Sequence, residues 1–254
     1  MKWRAIGMVA ALLAACAAPP AADTRRSGFE FMSTATQALQ TDDTQNPGML
    51  WVQDGEALWN HPVGPERLSC AGCHGDARRS MRGVAARYPR FDAALGRPVA
   101  LDERIAMCRA RQQAPALPPE SSQGLALQAF VAHQSRGLPI APDADPRLAP
   151  FRARGEQLYR QRIGQLDLSC ASCHDEHAGA SLGGSTIPQA HPTGYPLYRL
   201  EWQGLGSLQR RQRNCMGGVR AEPFAYGAAE LVELELYLME RARGMPIEAP
   251  AVRP

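Results

Sequence analysis

The sequence predicts an all-α protein that contains two tandem copies of one small helical domain. Three observations support this fold class: an internal repeat, apolar residues at helical spacing, and the lack of a convincing alternating strand. The repeat is clear where Gly55-Glu-Ala-Leu-Trp59 matches Gly155-Glu-Gln-Leu-Tyr159 at an offset of 100 residues. Later in the chain the offset is 107 residues, and Arg136-Gly-Leu-Pro-Ile140 matches Arg243-Gly-Met-Pro-Ile247.

The N-terminal residues predict export. Two basic residues precede a short apolar run rich in alanine, the pattern of a signal peptide over residues 1–22. This run is shorter than the about 20 apolar residues that span a bilayer. Leu13-Ala-Ala-Cys16 also resembles a bacterial lipoprotein box, in which Cys16 would be acylated, and cleavage near Ala18 or Ala22 is the alternative. The predicted location is the periplasm, with a lipid anchor through Cys16 left open.

The rest of the chain divides into an arm and two domains. Residues 23–48 are polar and poorly patterned, which predicts an extended arm. The first domain is predicted over residues 49–143 and the second over residues 144–254, with a proline-rich linker around their junction. The change of offset falls near Gly179 to Gly184 and predicts a longer surface loop there. The formal net charge of only +3 indicates no bulk attraction to nucleic acid.

Each predicted domain contains one C-x-x-C-H motif. These motifs are Cys70-Ala-Gly-Cys73-His74 and Cys170-Ala-Ser-Cys173-His174, both preceded by Leu-Ser. Two thiols at this spacing can bind the two vinyl groups of one haem, and the adjacent histidine can ligate its iron. A thioredoxin-like redox pair and a zinc knuckle are the alternatives. The motifs predict two covalently bound haem c groups, in domains similar to class I cytochromes c.

The second axial ligand of each haem is predicted from the repeat. Cys108 and Cys215 occupy equivalent positions, 34 residues after His74 and 41 residues after His174, whereas no methionine is shared in this way. A thiolate is a soft, charged ligand that stabilises ferric iron and lowers the reduction potential. A disulfide between the domains and a buried inert thiol remain alternatives for the two cysteines.

Four arginines surround Cys215 in the stretch "RRQRNCMGGVR". They form a candidate pocket for a small anion, because a guanidinium group can bind two oxygen atoms of one oxyanion. The alternative is a solvated basic face. Arg211 has the stronger case because its spacing from Cys215 recurs between Arg104 and Cys108.

With these motifs the sequence resembles the SoxA family, the dihaem subunits of SoxAX cytochromes, which are L-cysteine S-thiosulfotransferases of periplasmic sulfur oxidation. The resemblance covers essentially the whole mature chain. It implies a heterodimer with a monohaem SoxX-type cytochrome, a SoxYZ sulfur carrier as acceptor of thiosulfate, and electron transport to a cytochrome c. It also implies a persulfide or S-thiosulfonate at Cys215 and thiosulfate binding by Arg211. The first haem, with His74 and Cys108 as ligands, would be structural or an evolutionary relic.

Two other functions fit part of the pattern. A dihaem electron-transfer cytochrome with low-potential His/Cys-ligated haems would explain the repeat but not the excess of arginines around Cys215. A gas sensor would explain displaceable thiolate ligands, but no effector region accompanies the haem motifs.

Overall fold

The computed structural model describes residues 23–254, so the predicted signal peptide and its Cys16 lie outside the described residues. The N-terminal arm is less extended than predicted, because it forms a 3-10 turn at Gly28–Phe31 and helix α1 at Thr34–Thr41. Helix α1 begins where the Ser33 hydroxyl accepts a hydrogen bond from the backbone N–H of Thr36. No helix in residues 23–254 has the length and apolar character needed to cross a bilayer.

The two repeats share one order of elements. The first repeat contains α2 (Gly48–Asn60), α3 (Cys70–His74), α4 (Ala77–Ser80), a 3-10 turn (Ala85–Arg87), β1 (Arg90–Asp92), β2 (Arg97–Val99), α5 (Leu101–Arg111) and α6 (Ser122–His133). The second repeat contains a 3-10 turn (Pro146–Leu148), α7 (Ala149–Arg160), α8 (Cys170–His174), β3 (Ser181–Leu182), β4 (Ser185–Thr186), β5 (Leu197–Arg199), β6 (Gly204–Gly206), α9 (Leu208–Gly218), α10 (Ala229–Arg241) and β7 (Val252–Arg253). Helices α2, α3, α5 and α6 correspond to α7, α8, α9 and α10.

The short strands are the part of the fold that the sequence did not reveal. Hairpin β1–β2 corresponds to hairpin β5–β6, and β7 adds to β5 in parallel. Hairpin β3–β4 is exposed and lies in the predicted longer loop. Strands of two or three residues are too short to show alternation, so they do not alter the all-α class.

A glycine at the same place in each repeat lets two helices pack closely. A Cβ atom on Gly55 of α2 would overlap the backbone carbonyl of Ala126 in α6. A Cβ atom on Gly155 of α7 would likewise overlap the carbonyl of Glu233 in α10. These glycines explain why the Gly-Glu-x-Leu-aromatic pattern recurs: it brings each repeat's first and last helices together beside the haem motif.

The two repeats pack directly against each other. Their matching Arg-Gly-x-Pro-Ile segments exchange backbone hydrogen bonds, including Ile140 N–H to the Met245 carbonyl at 2.8 Å and Ile247 N–H to the Leu138 carbonyl at 2.9 Å. Ile140, Met245 and Ile247 are buried in one apolar cluster with Met239. The proline-rich segment therefore belongs to the interface between the repeats and is not a free linker.

The N-terminal arm is bound to the second repeat. The Asn46 side chain donates a hydrogen bond to the Pro250 carbonyl at 3.0 Å, and the Val252 N–H donates to the Gln40 side chain at 3.1 Å. Arg25 donates to the backbone carbonyls of Arg241 and Arg243 at 3.0 and 2.8 Å. The arm thus lies beside the end of α10, close to the second C-x-x-C-H motif.

Candidate functional site

The second C-x-x-C-H motif begins at the N-terminus of α8. Ser169 caps this helix, since its hydroxyl accepts a hydrogen bond from the Ser172 N–H at 3.0 Å. The His174 ring nitrogen Nδ1 lies 2.6 Å from the Pro188 carbonyl oxygen, which can only accept, so Nδ1 carries the proton. This contact leaves Nε2 as the free nitrogen, which is the arrangement that a metal-ligating histidine needs.

Cys215 of α9 faces His174. Burial raises the pKa of the Cys215 thiol, but the contact with the His174 ring and the positive charges of Arg211 and Arg199 outweigh it, so the pKa lies below its ordinary value. Burial, together with the nearby charge of Cys215, raises the pKa of Cys170 to about 11. The structure therefore places Cys170, Cys173, His174 and Cys215 around one volume, and this donor set fits a haem c.

The first repeat has the same donors. Burial raises the pKa of the Cys70 thiol, and the negative charge of the nearby Cys108 adds to the effect. His74 lies against the ring of Trp59, with 5.7 Å between ring centroids. All six cysteines of the described residues are free, so the alternative of a disulfide between Cys108 and Cys215 is not supported.

The second repeat has a polar network behind the histidine. The Tyr159 hydroxyl donates to Asp175 Oδ1 at 2.8 Å, and Arg241 donates to the same oxygen at 2.7 Å. A cavity of about 340 Å³ borders this network. It is lined by Asp175 and Arg241 of the network and by His174, Gln189, His191, Thr24 and Arg25. Burial, with the charges of Arg241 and Arg25, lowers the pKa of His191 to about 4 and keeps its ring neutral. Sequence analysis did not identify this network.

The arginines around Cys215 have different surroundings. Arg210 stacks on Trp202 at 4.1 Å and Arg213 on Tyr226 at 4.5 Å, measured to the ring centroids. Arg220 is exposed. Arg211, one helical turn before Cys215, forms no ion pair within residues 23–254, and no acidic residue lies in the first turn of α9. Arg211 is thus available to an anion.

Arg199 is the residue near Cys215 that sequence analysis missed. It ends strand β5, only 9% of its surface is exposed, and its guanidinium lies over Trp202 at 5.2 Å. Burial lowers its pKa, and the charge of Arg211 lowers it further, which shows that the two guanidinium groups are neighbours. The 107-residue offset places Arg199 on Asp92, and this change of charge was the available signal.

Comparison with known proteins identifies the family. The model of the SoxA/TsdA cytochrome c domain matches residues 54–140 and 154–247, one segment in each repeat. The "L-cysteine S-thiosulfotransferase subunit SoxA" of Rhodovulum sulfidophilum is 37% identical over 232 residues, which cover 91% of this chain and 81% of that protein. The same subunit from Paracoccus pantotrophus is 33% identical over 242 residues, covering 93% and 83%.

A solved structure shows the same fold. The crystal structure of SoxXA from P. pantotrophus superimposes with a TM-score of 0.87 at 32% identity, covering 91% of this chain and 87% of that chain. The predicted all-α class with two cytochrome c domains is confirmed, and the family supports the two covalently bound haem c groups. Because the family model matches both repeats and the relatives match nearly the whole chain, this protein belongs to the SoxA/TsdA cytochrome c family, among its SoxA members.

Proposed function

We propose that this chain is the SoxA subunit of an L-cysteine S-thiosulfotransferase, which couples thiosulfate oxidatively to a cysteine of a SoxYZ-type carrier in the periplasm. One observation carries the proposal: Cys215 is a half-buried thiol of lowered pKa that faces His174, and no carboxylate lies in the first turn of its arginine-rich helix. The relatives and the SoxXA structure support the same activity and a SoxX-type monohaem partner in a heterodimer. A lipid anchor at Cys16 is a separate proposal, which depends on residues outside those described.

The roles of the site residues follow from their positions. Cys70, Cys73, Cys170 and Cys173 would attach the two haems, and their irons would be held by His74 with Cys108 and by His174 with Cys215. The Pro188 carbonyl fixes the His174 ring, and the Ser169 cap fixes the start of α8. Backbone contacts thus set the His174 ring before any substrate binds.

Thiosulfate is a dianion, and the charge at the second site suits it. Arg211 and Arg199 lower the pKa of Cys215 together, so both lie within electrostatic reach of its sulfur. Guanidinium groups can bind the sulfonate oxygens of thiosulfate through paired hydrogen bonds. That orientation would leave the outer sulfur of thiosulfate free to approach Cys215.

The reaction can be written as two balanced steps at Cys215. The Cys215 thiolate and the outer sulfur of thiosulfate form a sulfur–sulfur bond, which gives an S-thiosulfonate and releases two electrons. A haem c held by Cys170, Cys173 and His174 would supply the one-electron acceptor that this oxidation needs. The carrier cysteine then attacks the outer sulfur as a thiolate, takes the thiosulfonate group and releases the Cys215 thiolate. A lowered pKa serves both steps, since it supplies a nucleophile first and a good leaving group later.

The test is the mass of the peptide that contains Cys215, taken under non-reducing conditions before and after thiosulfate, from haem-loaded protein with its partner subunit. We expect an added sulfur or a thiosulfonate on Cys215. Cys108 is the matched internal control, because it occupies the equivalent position and is expected to stay unmodified. Unmodified thiols at both positions, in a preparation that reduces its electron acceptor, would favour the plain electron-transfer cytochrome.

A further inference from the structure

The two repeats differ in charge at matched positions beside their second cysteines. With the 107-residue offset, Asp92 corresponds to Arg199 and Arg104 to Arg211. The correspondence is structural as well, since Asp92 is the last residue of β1 and Arg199 is the last residue of β5. In both repeats a hairpin leads directly into the helix that contains the cysteine.

In the first repeat these charges neutralise each other. Arg104 donates a hydrogen bond to Asp92 Oδ2 at 2.6 Å, and the Asp92 side chain is only 10% exposed. Arg97 of β2 pairs with Glu103 of α5 at 2.5 Å. The four charged groups form two ion pairs with no net charge, so the arginine that corresponds to Arg211 is already occupied.

In the second repeat the same positions are positive. Arg199 replaces Asp92, Arg210 replaces Glu103, and glycine replaces Arg97. Within residues 23–254, the only acid that bonds to them is Glu201, which accepts from Arg199 at 2.7 Å but has a side chain that is 62% exposed. An exposed ion pair of this kind is weak. The group therefore keeps a net charge of +2 beside Cys215.

The buried Arg199 also has an unsatisfied donor. Its Nε atom is buried and has no hydrogen-bond partner among the described residues. Trp202 lies between the guanidinium groups of Arg199 and Arg210, which stack on its ring at 5.2 and 4.1 Å. Trp202 thus holds two guanidinium groups whose one ionic partner among the described residues is the exposed Glu201, and a bound dianion would satisfy the remaining charge and the free Nε donor.

We propose that Arg199 is the specificity-determining residue of this protein: with Arg211 it selects divalent sulfur oxyanions at Cys215, whereas Asp92 closes the first repeat to them. This inference rests on the proposed function for the identity of the natural substrate. The binding of dianions is independent of the proposed function, because it can be measured with an inert anion such as sulfate.

The experiment measures sulfate and thiosulfate binding by calorimetry to the haem-loaded complex with its partner subunit. Arg199→Asp recreates the ion pair of the first repeat by placing a carboxylate beside Arg211. We expect Arg199→Asp to weaken dianion binding about 100-fold. Arg199→Lys keeps the positive charge but loses the paired N–H donors of the guanidinium group, and it should weaken binding about 10-fold or less. Arg82→Asp is the matched control, since Arg82 is exposed, forms no ion pair in the described residues and undergoes the same change of charge.

The outcomes separate this inference from the proposed function. Sulfate binding by Arg199→Asp within twofold of the unmodified protein, or no weaker than in Arg82→Asp, would overturn the role of Arg199 even if sulfur transfer continues. If dianion binding depends on Arg199 but no added sulfur or thiosulfonate is found on Cys215, the inference stands and the proposed function is overturned. If Arg199→Asp does not fold, Arg199→Gln takes its place, with an expected loss of about 10-fold or more.

Discussion

The two haem repeats have the same scaffold but different surroundings for their cysteines. Helix packing through Gly55 and Gly155, the capped haem motif and the hairpin before the cysteine helix recur in both. What changes is charge and polarity: the second repeat adds Arg199 on one side and the Tyr159–Asp175–Arg241 network on the other. A duplicated cytochrome domain can therefore acquire a reaction through a few substitutions around an unchanged ligand set.

The largest effect is expected from removing each cysteine in turn. Cys215→Ala removes the sulfur that would hold the transferred group, so the rate of transfer to the carrier cysteine should fall by about 1,000-fold or more. Cys108→Ala should keep that rate within about tenfold, because the first site has no open anion pocket. Steady-state transfer measured by the mass of the carrier peptide checks both. Equal losses in the two variants would contradict the division of roles between the repeats.

The shared scaffold should respond equally in both repeats. Gly55→Ala and Gly155→Ala each place a Cβ atom on a backbone carbonyl that cannot rotate away, so each should lower the free energy of unfolding by about 1–3 kcal/mol. Gly217→Ala is the control, because a Cβ atom there meets nothing within 4 Å and alanine favours the helix. Urea unfolding measures all three. A loss in only one repeat would show that the two helix pairs do not pack equivalently.

The interface between the repeats predicts a pH dependence of stability. Glu235 and Asp102 line a small cavity of about 50 Å³ between the two repeats, opposite Gln128 and Gln209. Burial, with the charge of Asp102, raises the pKa of Glu235 to about 8. The folded protein keeps this proton up to about pH 8, whereas an unfolded glutamate releases it near pH 4.5. The free energy of unfolding should therefore fall as the pH rises through this range.

Glu235→Gln should remove that fall. At pH 5 the variant and the unmodified protein should be about equally stable, and at pH 9 the variant should be more stable by roughly 1–3 kcal/mol, a value reduced for contact of the cavity with solvent. Urea unfolding at both pH values measures this difference. Glu56→Gln, at an exposed position of α2, is the control. A Glu235→Gln variant with an unchanged pH profile would show that the carboxyl group titrates normally.

The sequence predicted features that are local or repeated. The C-x-x-C-H motifs, the equivalence of Cys108 and Cys215, and the apolar residues at helical spacing all depend on short spacings. Helices α6 and α10 contain such apolar residues. The helix in the N-terminal arm was missed because its pattern is largely polar. The attachment, ligand and substrate-binding roles of individual residues remain predictions.

Arg199 and the network behind His174 were not predicted because distant segments form them. Sixteen residues separate Arg199 from Cys215, and only hairpin β5–β6 brings the arginine to the start of α9. Asp175, Tyr159 and Arg241 come from a loop and two helices, and no short motif contains them. A position-by-position alignment of the two repeats would have identified Arg199, because Asp92 occupies the equivalent position in the first repeat. The same alignment would not have identified the network behind His174.

The smallest effect is expected in the network that only the second repeat possesses. Asp175→Asn removes a negative charge next to His174, so oxidised iron would be less stabilised and the reduction potential of the second haem should rise. A change of about 1 kcal/mol, the scale of one hydrogen bond, corresponds to about 40 mV for a one-electron couple.

The first haem is the internal reference, since glycine occupies the position of Asp175 there. Asp167→Asn, whose side chain is 73% exposed, is the matched control. Spectroelectrochemistry that shows both haems shifting together, or neither, would mean that this network does not tune the second site separately. A shift in the second haem alone would show that the repeats differ in potential because of residues behind the shared histidine, independently of Arg199 and Arg211.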